Sequence, residues 1–189
     1  MFFDRKPEHA APQPDLASLT ITDARVGDQM SISGAAADFS DLDFTVDRCN
    51  HCESGSRGWN ELSGMHRDIR VFVEVHNDDT VEVRANMDGR KLTLDELGVS
   101  EDDLSEMDRR QNPADFFDYD GKFWLYRSSH EAGVFSGGNP VAKGYYAWEF
   151  QEQGGKRFLL IRKFDGEPFT AALWVGIVPG DVSIFRGAR

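Results

Sequence analysis

Apolar and polar residues alternate most regularly between residues 69 and 84. Ile69, Val71, Val73 and Val75 recur at every second position, Asn77-Asp78-Asp79 interrupts them, and Val81 and Val83 resume the same phase. A period of two is that of a strand with one face turned to a core, so the segment predicts a β-hairpin with one buried face. A second alternating region runs through Tyr146-Ala147-Trp148-Glu149-Phe150, Arg157-Phe158-Leu159-Leu160-Ile161 and residues 169–177. Its breaks, Gly154-Gly155 and Asp165-Gly166, readily take the positive φ values of tight hairpin turns, and a three-stranded meander follows. In its last strand Ala171, Leu173, Val175 and Ile177 share one face, and Ala172, Trp174 and Gly176 the other. Pro168 stands at the start of that strand, where a missing N–H is tolerated. A shorter alternation, Met30-Ser31-Ile32-Ser33, follows a turn at Val26-Gly27-Asp28, where regular structure is expected to begin.

Only residues 93–110 predict helix. Ser100 with Asp103 has the spacing of an N-cap with an acidic N3, Leu104 and Met107 give an apolar spacing, and Arg109-Arg110 closes the segment as the helix dipole prefers. Thr93-Leu94-Asp95-Glu96-Leu97-Gly98 reads as a preceding short helical turn ending at the glycine. Seven acidic residues and no base lie from Asp95 to Asp108, the pattern of a solvated face. Ahead of all this, Pro7, Pro12 and Pro14 mark an extended tail. The chain thus divides into a tail over residues 1–23, a first β unit over 24–92, an acidic helical connector over 93–115 and a second β unit over 116–189.

The two β units share an order of events. Phe44-Thr45-Val46-Asp47-Arg48-Cys49-Asn50-His51 aligns with Phe123-Trp124-Leu125-Tyr126-Arg127-Ser128-Ser129-His130 at a shift of 79 positions. Each block precedes a polar, glycine-containing loop, a Trp with a nearby Glu (Trp59 and Glu61; Trp148 and Glu149) and a long hairpin. Such order fits a diverged tandem duplication, and hence a mainly β fold of two related antiparallel units, each a small barrel or curled sheet. Val26-Gly27-Asp28, Trp59-Asn60-Glu61-Leu62, Tyr119-Asp120-Gly121-Lys122-Phe123, Tyr146-Ala147-Trp148-Glu149-Phe150 and Leu159-Leu160-Ile161 before Asp165-Gly166 resemble a bacterial family, domain of unknown function four-one-seven-eight, over roughly residues 24–186. The charged His66-Arg67-Asp68 departs from its pattern. The resemblance implies an uncharacterised cytosolic β-rich module linked to envelope stress, with no established reaction or catalytic residues.

Charge narrows the partners. The 189 residues carry 33 acidic and 21 basic side chains, a net charge of −12, and residues 1–115 hold 25 of the acids but only 12 of the bases. Residues 116–189 are nearly neutral and hold 16 of the 22 aromatics. A net negative chain repels phosphate backbones and anionic lipid surfaces, so no nucleic acid is expected as a partner. No stretch approaches the roughly 18 consecutive apolar residues of a spanning helix, and no apolar run follows the first basic residues. No direct membrane insertion is expected, and a cytoplasmic location is.

Candidate chemistry is sparse. Cys49-Asn50-His51-Cys52 places two thiols at a spacing that suits one side of a tetrahedral zinc site. His51 and His130 would complete it, since the repeat sets those two histidines opposite each other, with His66 and His76 as further donors. A redox dithiol normally caps a helix, whereas this pair follows a strand, and two ordinary loop thiols are the alternative. Glu61 and Glu149 serve acid–base work only if they share a cavity; otherwise Trp59 and Trp148 are core anchors and the glutamates strand-face partners. Ser128-Ser129-His130-Glu131 lacks a nucleophile elbow, Gly154-Gly155-Lys156 lacks the rest of a phosphate loop, and Asp118-Tyr119-Asp120-Gly121 lacks the flanking acids of a calcium loop. Phe135, in the loop of residues 134–140, either packs on the barrel or meets a partner. The sequence therefore reads as a non-enzymatic interaction or adaptor module with a protein partner. A zinc-stabilised protein and a small-molecule-binding β-barrel with Trp59, Glu61, Trp148 and Glu149 at its pocket are the two rival readings.

Overall fold

The computed structural model describes residues 19–187. Most of the tail expected over residues 1–23 lies outside the described residues. Packing begins ahead of Val26, because Ile21, in a 3-10 turn, is only 4% exposed against the first core. The first half of the chain is a meander of β1 (Gln29–Ile32), β2 (Leu42–Ser54), β3 (Arg57–His66), β4 (Ile69–Asn77) and β5 (Val81–Asn86). Helices α1 (Leu94–Leu97) and α2 (Glu101–Arg110) follow. The second half repeats the strand order with β6 (Phe116–Tyr119), β7 (Lys122–Phe135), β8 (Lys143–Glu152), β9 (Arg157–Phe164) and β10 (Thr170–Ile177), and β11 (Val182–Phe185) closes the chain against β1.

These strands form one antiparallel sheet rather than two separate units. Its order is β11-β1-β2-β3-β4-β5-β10-β9-β8-β7-β6, and a further pairing of β2 with β7 closes the eight strands from β2 round to β7 into a ring. Both strands at the closure do double duty. The first part of β2 pairs with β1 and its end with β7, while the first part of β7 pairs with β6. Each seam between the halves is three residue pairs long, His51–Phe135 to Glu53–Gly133 on one side and Ala85–Val175 to Val83–Ile177 on the other. Closure of this kind removes sheet edges that would otherwise stay unpaired. The polar, glycine-containing loop expected after the Phe44 block is reduced to the tight turn at Gly55-Ser56, since β2 continues as strand to Ser54.

The hairpin of β4 and β5 is buried on both faces, not one. Val71, Val73 and Val75 line an apolar face as their spacing predicts, but Glu74 and His76 on the other face are 3% and 7% exposed. The apolar face belongs to a core of the first half, formed with Met30, Ile32, Leu42, Phe44, Leu62, Val83 and Ile184. The second half builds its own core on the corresponding face, from Trp124, Tyr126, Phe150, Leu159 and Ile161 with Leu97, Leu104 and Met107 of the helices. The connector is therefore acidic on one side and apolar on the other. Its ends match the sequence: Ser100 and Asp103 form a reciprocal capping box, and Gly98 ends α1 in the left-handed conformation.

Gly64 marks the tightest approach within the first half. A Cβ on this residue would collide with the Thr45 carbonyl oxygen and the Phe44 ring, next to the point where the β2–β3 register shifts between Val46 and Arg48. Backbone cannot yield as a flexible side chain would, so Gly64→Ala should destabilise the fold by about 1–3 kcal/mol. A urea midpoint unchanged by this substitution would show that β2 and β3 can separate freely there.

Candidate functional site

A charged cluster lies inside the ring. Arg162 on β9 donates from Nη1 to Glu61 Oε2 on β3 at 2.9 Å and from Nη2 to Glu74 Oε1 on β4 at 2.6 Å, although β9 and β3 are four strands apart in the sheet. Only the face that looks across the ring permits that contact. Register brings the partners together: Glu61 stands opposite Glu74, Trp59 opposite His76, and Arg162 opposite the small Ala147, which leaves its long side chain room to cross. Trp59 stacks on His76 with ring centroids 5.2 Å apart, and His76 Nε2 is 3.6 Å from Glu74. Burial works against the charge on Arg162, yet Glu61 and Glu74 outweigh it and raise its pKa above the ordinary value. Burial likewise pushes Glu74 up, but His76 and Arg162 hold it below the usual carboxylate value.

The zinc set does not assemble. Cys49 and Cys52 both sit on β2, and three residues of separation on a strand turn their side chains to opposite faces. Cys49 packs against the first core, whereas Cys52 is 1% exposed among Trp59, Ala132, Tyr145 and Ala147. Burial pushes the Cys52 thiol up to about 12, so it stays protonated and unreactive near neutrality. His51 is on the outside, where it meets Asn60 and Glu53 at 3.2 and 3.1 Å, and its ring lies 6.2 Å from Phe135. Among the described residues no group of three or more His, Cys, Asp and Glu is placed to hold a metal ion.

His130 is not the counterpart of His51. Both β2 and β7 carry a bulge, between Val46 and Arg48 and between Tyr126 and Ser128, and aligning the bulges pairs Val46 with Tyr126, a shift of 80 rather than 79. The same pairing matches two backbone bonds, Val46 N–H to the Asp28 carbonyl and Tyr126 N–H to the Asp115 carbonyl, each 2.8 Å. A slip of one residue exchanges the two faces of a strand. It therefore sets His51 against Glu131, and it sets Trp59 and Glu61 against Tyr145 and Ala147 rather than Trp148 and Glu149. Trp148 belongs to the second core on the outer face, where its indole N–H donates to the Leu104 carbonyl at 3.3 Å and helps seat α2. Glu149 faces inward and accepts from Arg84 at 3.3 Å. Glu61 and Glu149 are thus each engaged by a different arginine.

His130 opposes Ala147, and burial lowers its pKa, with the neighbouring Glu149 acting the other way. Folding then keeps this imidazole neutral, while the unfolded chain takes up the proton more readily. Its contribution to stability is complete above the ordinary histidine value of 6.5 and is lost as pH falls from there through the folded value. Urea midpoints measured from about pH 7.5 down to about pH 5 should decline more steeply for the natural chain than for His130→Gln. Parallel slopes would remove His130 from the acid response.

Beside the charged cluster lies a cavity of about 160 Å³. Glu61, Phe72, Leu160, Arg162, Phe164 and Trp174 line it, together with Gly89 and the exposed Arg90 and Lys91. Two donors on its lining residues, Arg162 Nε and Trp174 Nε1, are shut off from solvent and have no acceptor among the described residues. Sequence reasoning selects Glu61 here but not Glu74, Arg162 or Trp174. The available signal was a single charged residue set within an apolar strand, as in Val73-Glu74-Val75 and Leu160-Ile161-Arg162. Comparison of the chain with protein-family models, curated proteins and solved structures finds no match. Among the described residues no helix is long and apolar enough to cross a membrane.

Proposed function

We propose that the chain is a binding module without a reaction of its own, and that its ring takes up a small molecule. The observation that carries this reading is the cavity of about 160 Å³, lined by Phe72, Leu160, Phe164 and Trp174 with Glu61 and Arg162 among them. An apolar and aromatic lining with a few polar groups is the make-up of a small-molecule site. Catalysis has less support, because Glu61 and Glu74 are both occupied by Arg162 and neither stands ready as a free acid or base. Zinc is not part of the proposal, given the opposed thiols of Cys49 and Cys52. The common strand order, the paired bulges and the matching backbone bonds favour descent of the halves from one duplicated unit. The resemblance to domain of unknown function four-one-seven-eight, and with it the link to envelope stress, is retained as a proposal of kinship.

A thermal-shift screen of compounds with up to about a dozen heavy atoms tests the reading. Ligands that bind only the folded chain raise its midpoint by mass action. Compounds should stabilise the natural chain and lose that effect in Ala172→Leu, which fills the cavity from β10. A screen without one stabilising compound would overturn the proposal.

A protein partner is the second reading, favoured by one surface feature. Phe116 and Phe123 are 54% and 47% exposed and pack edge to face with centroids 5.1 Å apart, where β6 forms an end of the sheet. A partner that binds there would be retained by the natural chain and lost from Phe116→Asp with no change in thermal midpoint. Equal retention by both would end this reading.

A further inference from the structure

Resting on the second reading, a protein partner at Phe116, we infer that the outer edge of β6 is a strand-addition site. It takes an extended segment of a partner protein that carries apolar residues at alternate positions and a lysine or arginine opposite Asp118.

The first half shows what a strand in this place looks like. β6 is the counterpart of β1: the Asp28 and Asp115 carbonyls accept from Val46 and Tyr126, so Gln29-Met30-Ser31-Ile32 corresponds to Phe116-Phe117-Asp118-Tyr119. Both aspartates also hold an arginine, Arg186 at 2.7 Å and Arg110 at 2.9 Å. β1 is paired on both sides, by β2 and by β11, whereas among the described residues β6 is paired only by β7 and ends the sheet. Burial records the difference. Met30 and Ile32, flanked by β11, are each 1% exposed in the first core, but Phe117 and Tyr119 are only half-buried against the second.

The backbone adds a second argument. Bonded and non-bonded pairs alternate in an antiparallel ladder, so the bond from Tyr126 to Asp115 directs Phe117 and Tyr119 to β7 and the N–H and C=O groups of Phe116 and Asp118 outward. In β1 the outward residues are Gln29 and Ser31, which oppose Phe185 and Ser183 of β11. An edge with such groups unpaired is a template for another strand. The register of β11 then sets the occupant. Residues in the places of Val182 and Ile184 would stand opposite Tyr119 and Phe117 and extend the second core, and one in the place of Phe185 would stand opposite Phe116.

Charge selects the remaining position. Where β1 has Ser31 opposite Ser183, β6 has the exposed Asp118, with which no basic side chain pairs among the described residues. Opposite charges across neighbouring strands attract and like charges repel, so a lysine or arginine fits there and an acid does not. A second copy of this chain is the poorer occupant, since it brings a net charge of −12 to an acidic edge.

Two end-capped peptides that copy residues 180–187, one with Lys and one with Glu in place of Ser183, test this when titrated into the full chain and followed by amide exchange. The Lys peptide should slow exchange at Phe116 and Asp118, with no change at Phe117 and Tyr119, and should bind about threefold or more tightly than the Glu peptide. Asp118→Lys should reverse that ranking. Asp118→Pro, which removes an outward N–H and leaves the bonds to β7, should abolish the slowing at Phe116. Should Asp118→Pro fail to fold, the reversal in Asp118→Lys decides alone. Protection of Phe116 and Asp118 in the free chain, slowing that follows chain concentration alone, or no slowing by either peptide would overturn the inference, and equal binding of both peptides would overturn the basic occupant. A partner whose retention still depends on Phe116 would then leave the second reading in place without strand addition; equal retention by Phe116→Asp would remove both.

Discussion

Replacing Arg162 with leucine is expected to destabilise the protein by about 3–5 kcal/mol at neutral pH. The substitution removes the one cation that faces both Glu61 and Glu74 and leaves two carboxylates opposite each other on neighbouring strands, 7% and 3% exposed. Two adjacent buried carboxylates cannot both remain ionised, so at least one takes up a proton in the folded variant. Its folded pKa then lies above the unfolded value, and such a group adds stability as pH falls. The deficit of Arg162→Leu should accordingly shrink on acidification from about pH 7 towards about pH 5. Removing all three charges, as Glu61→Leu, Glu74→Leu and Arg162→Met together, should restore most of the loss, because a buried ion cluster seldom outperforms a well-packed apolar replacement. Urea denaturation of the single and triple variants measures both effects. A loss under about 1 kcal/mol for Arg162→Leu would mean that water reaches the carboxylates and that the ring interior is not dry.

Inside the ring the same cluster lies beside a third, smaller apolar core of Cys52, Trp59, Ala132, Tyr145 and Ala147, while the two larger cores lie outside it. Each half satisfies its hydrophobic face on the outside of the ring, with β1, β11 and Ile21 covering one core and β6, α1 and α2 covering the other. The faces that remain meet each other across the ring. There the halves are complementary in charge at one corresponding position, since alignment of the bulges sets Glu74 against Arg162. A face that carries glutamate in one half and arginine in the other joins the halves more specifically than two apolar faces would.

Much of the secondary structure was legible because it rests on local signals. The phase of Ile69 to Val75 and of Val81 and Val83 matches the observed β4–β5 register, in which Val75 opposes Val83. The glycine pair at 154–155 and the capping residues Ser100 and Asp103 define the β8–β9 turn and the start of α2. Closure was not legible, because the β2–β7 seam rests on three residue pairs between segments about 80 positions apart. Nor was the site. A glutamate between valines, or an arginine between Ile161 and Lys163, reads as a solvent-facing position, and only the second sheet face opposite makes Glu74 and Arg162 interior. The bulges were equally hidden, since an extra residue in a strand leaves no compositional trace. That one residue separates the apparent match of Phe44 with Phe123 from the structural match of Phe44 with Trp124, and it reassigns His130, Trp148 and Glu149 together.

Phe150→Ala should have an effect as large as the loss of Arg162, but on the other face of the sheet. Phe150 is fully buried in the second core, with Phe117 and Tyr126 edge to face at 4.9 and 5.9 Å. Truncating a buried aromatic to alanine costs about 3–5 kcal/mol through lost burial and the cavity left behind. The helices depend on this core, because α2 contributes Leu104 and Met107 to it, and ten residues of isolated helix are not stable in water. Amide exchange at Glu101–Arg110 should therefore quicken more than exchange in β1 and β11, which belong to the other core. Leu62→Ala, in that first core, should show the reverse pattern with a loss of about 2–5 kcal/mol. If both variants instead accelerated exchange equally in α2 and in β1, the two cores would form a single cooperative unit coupled through the ring. That coupling would run through the seams and the Arg162 cluster, so adding Arg162→Leu to either variant would then shift both regions together.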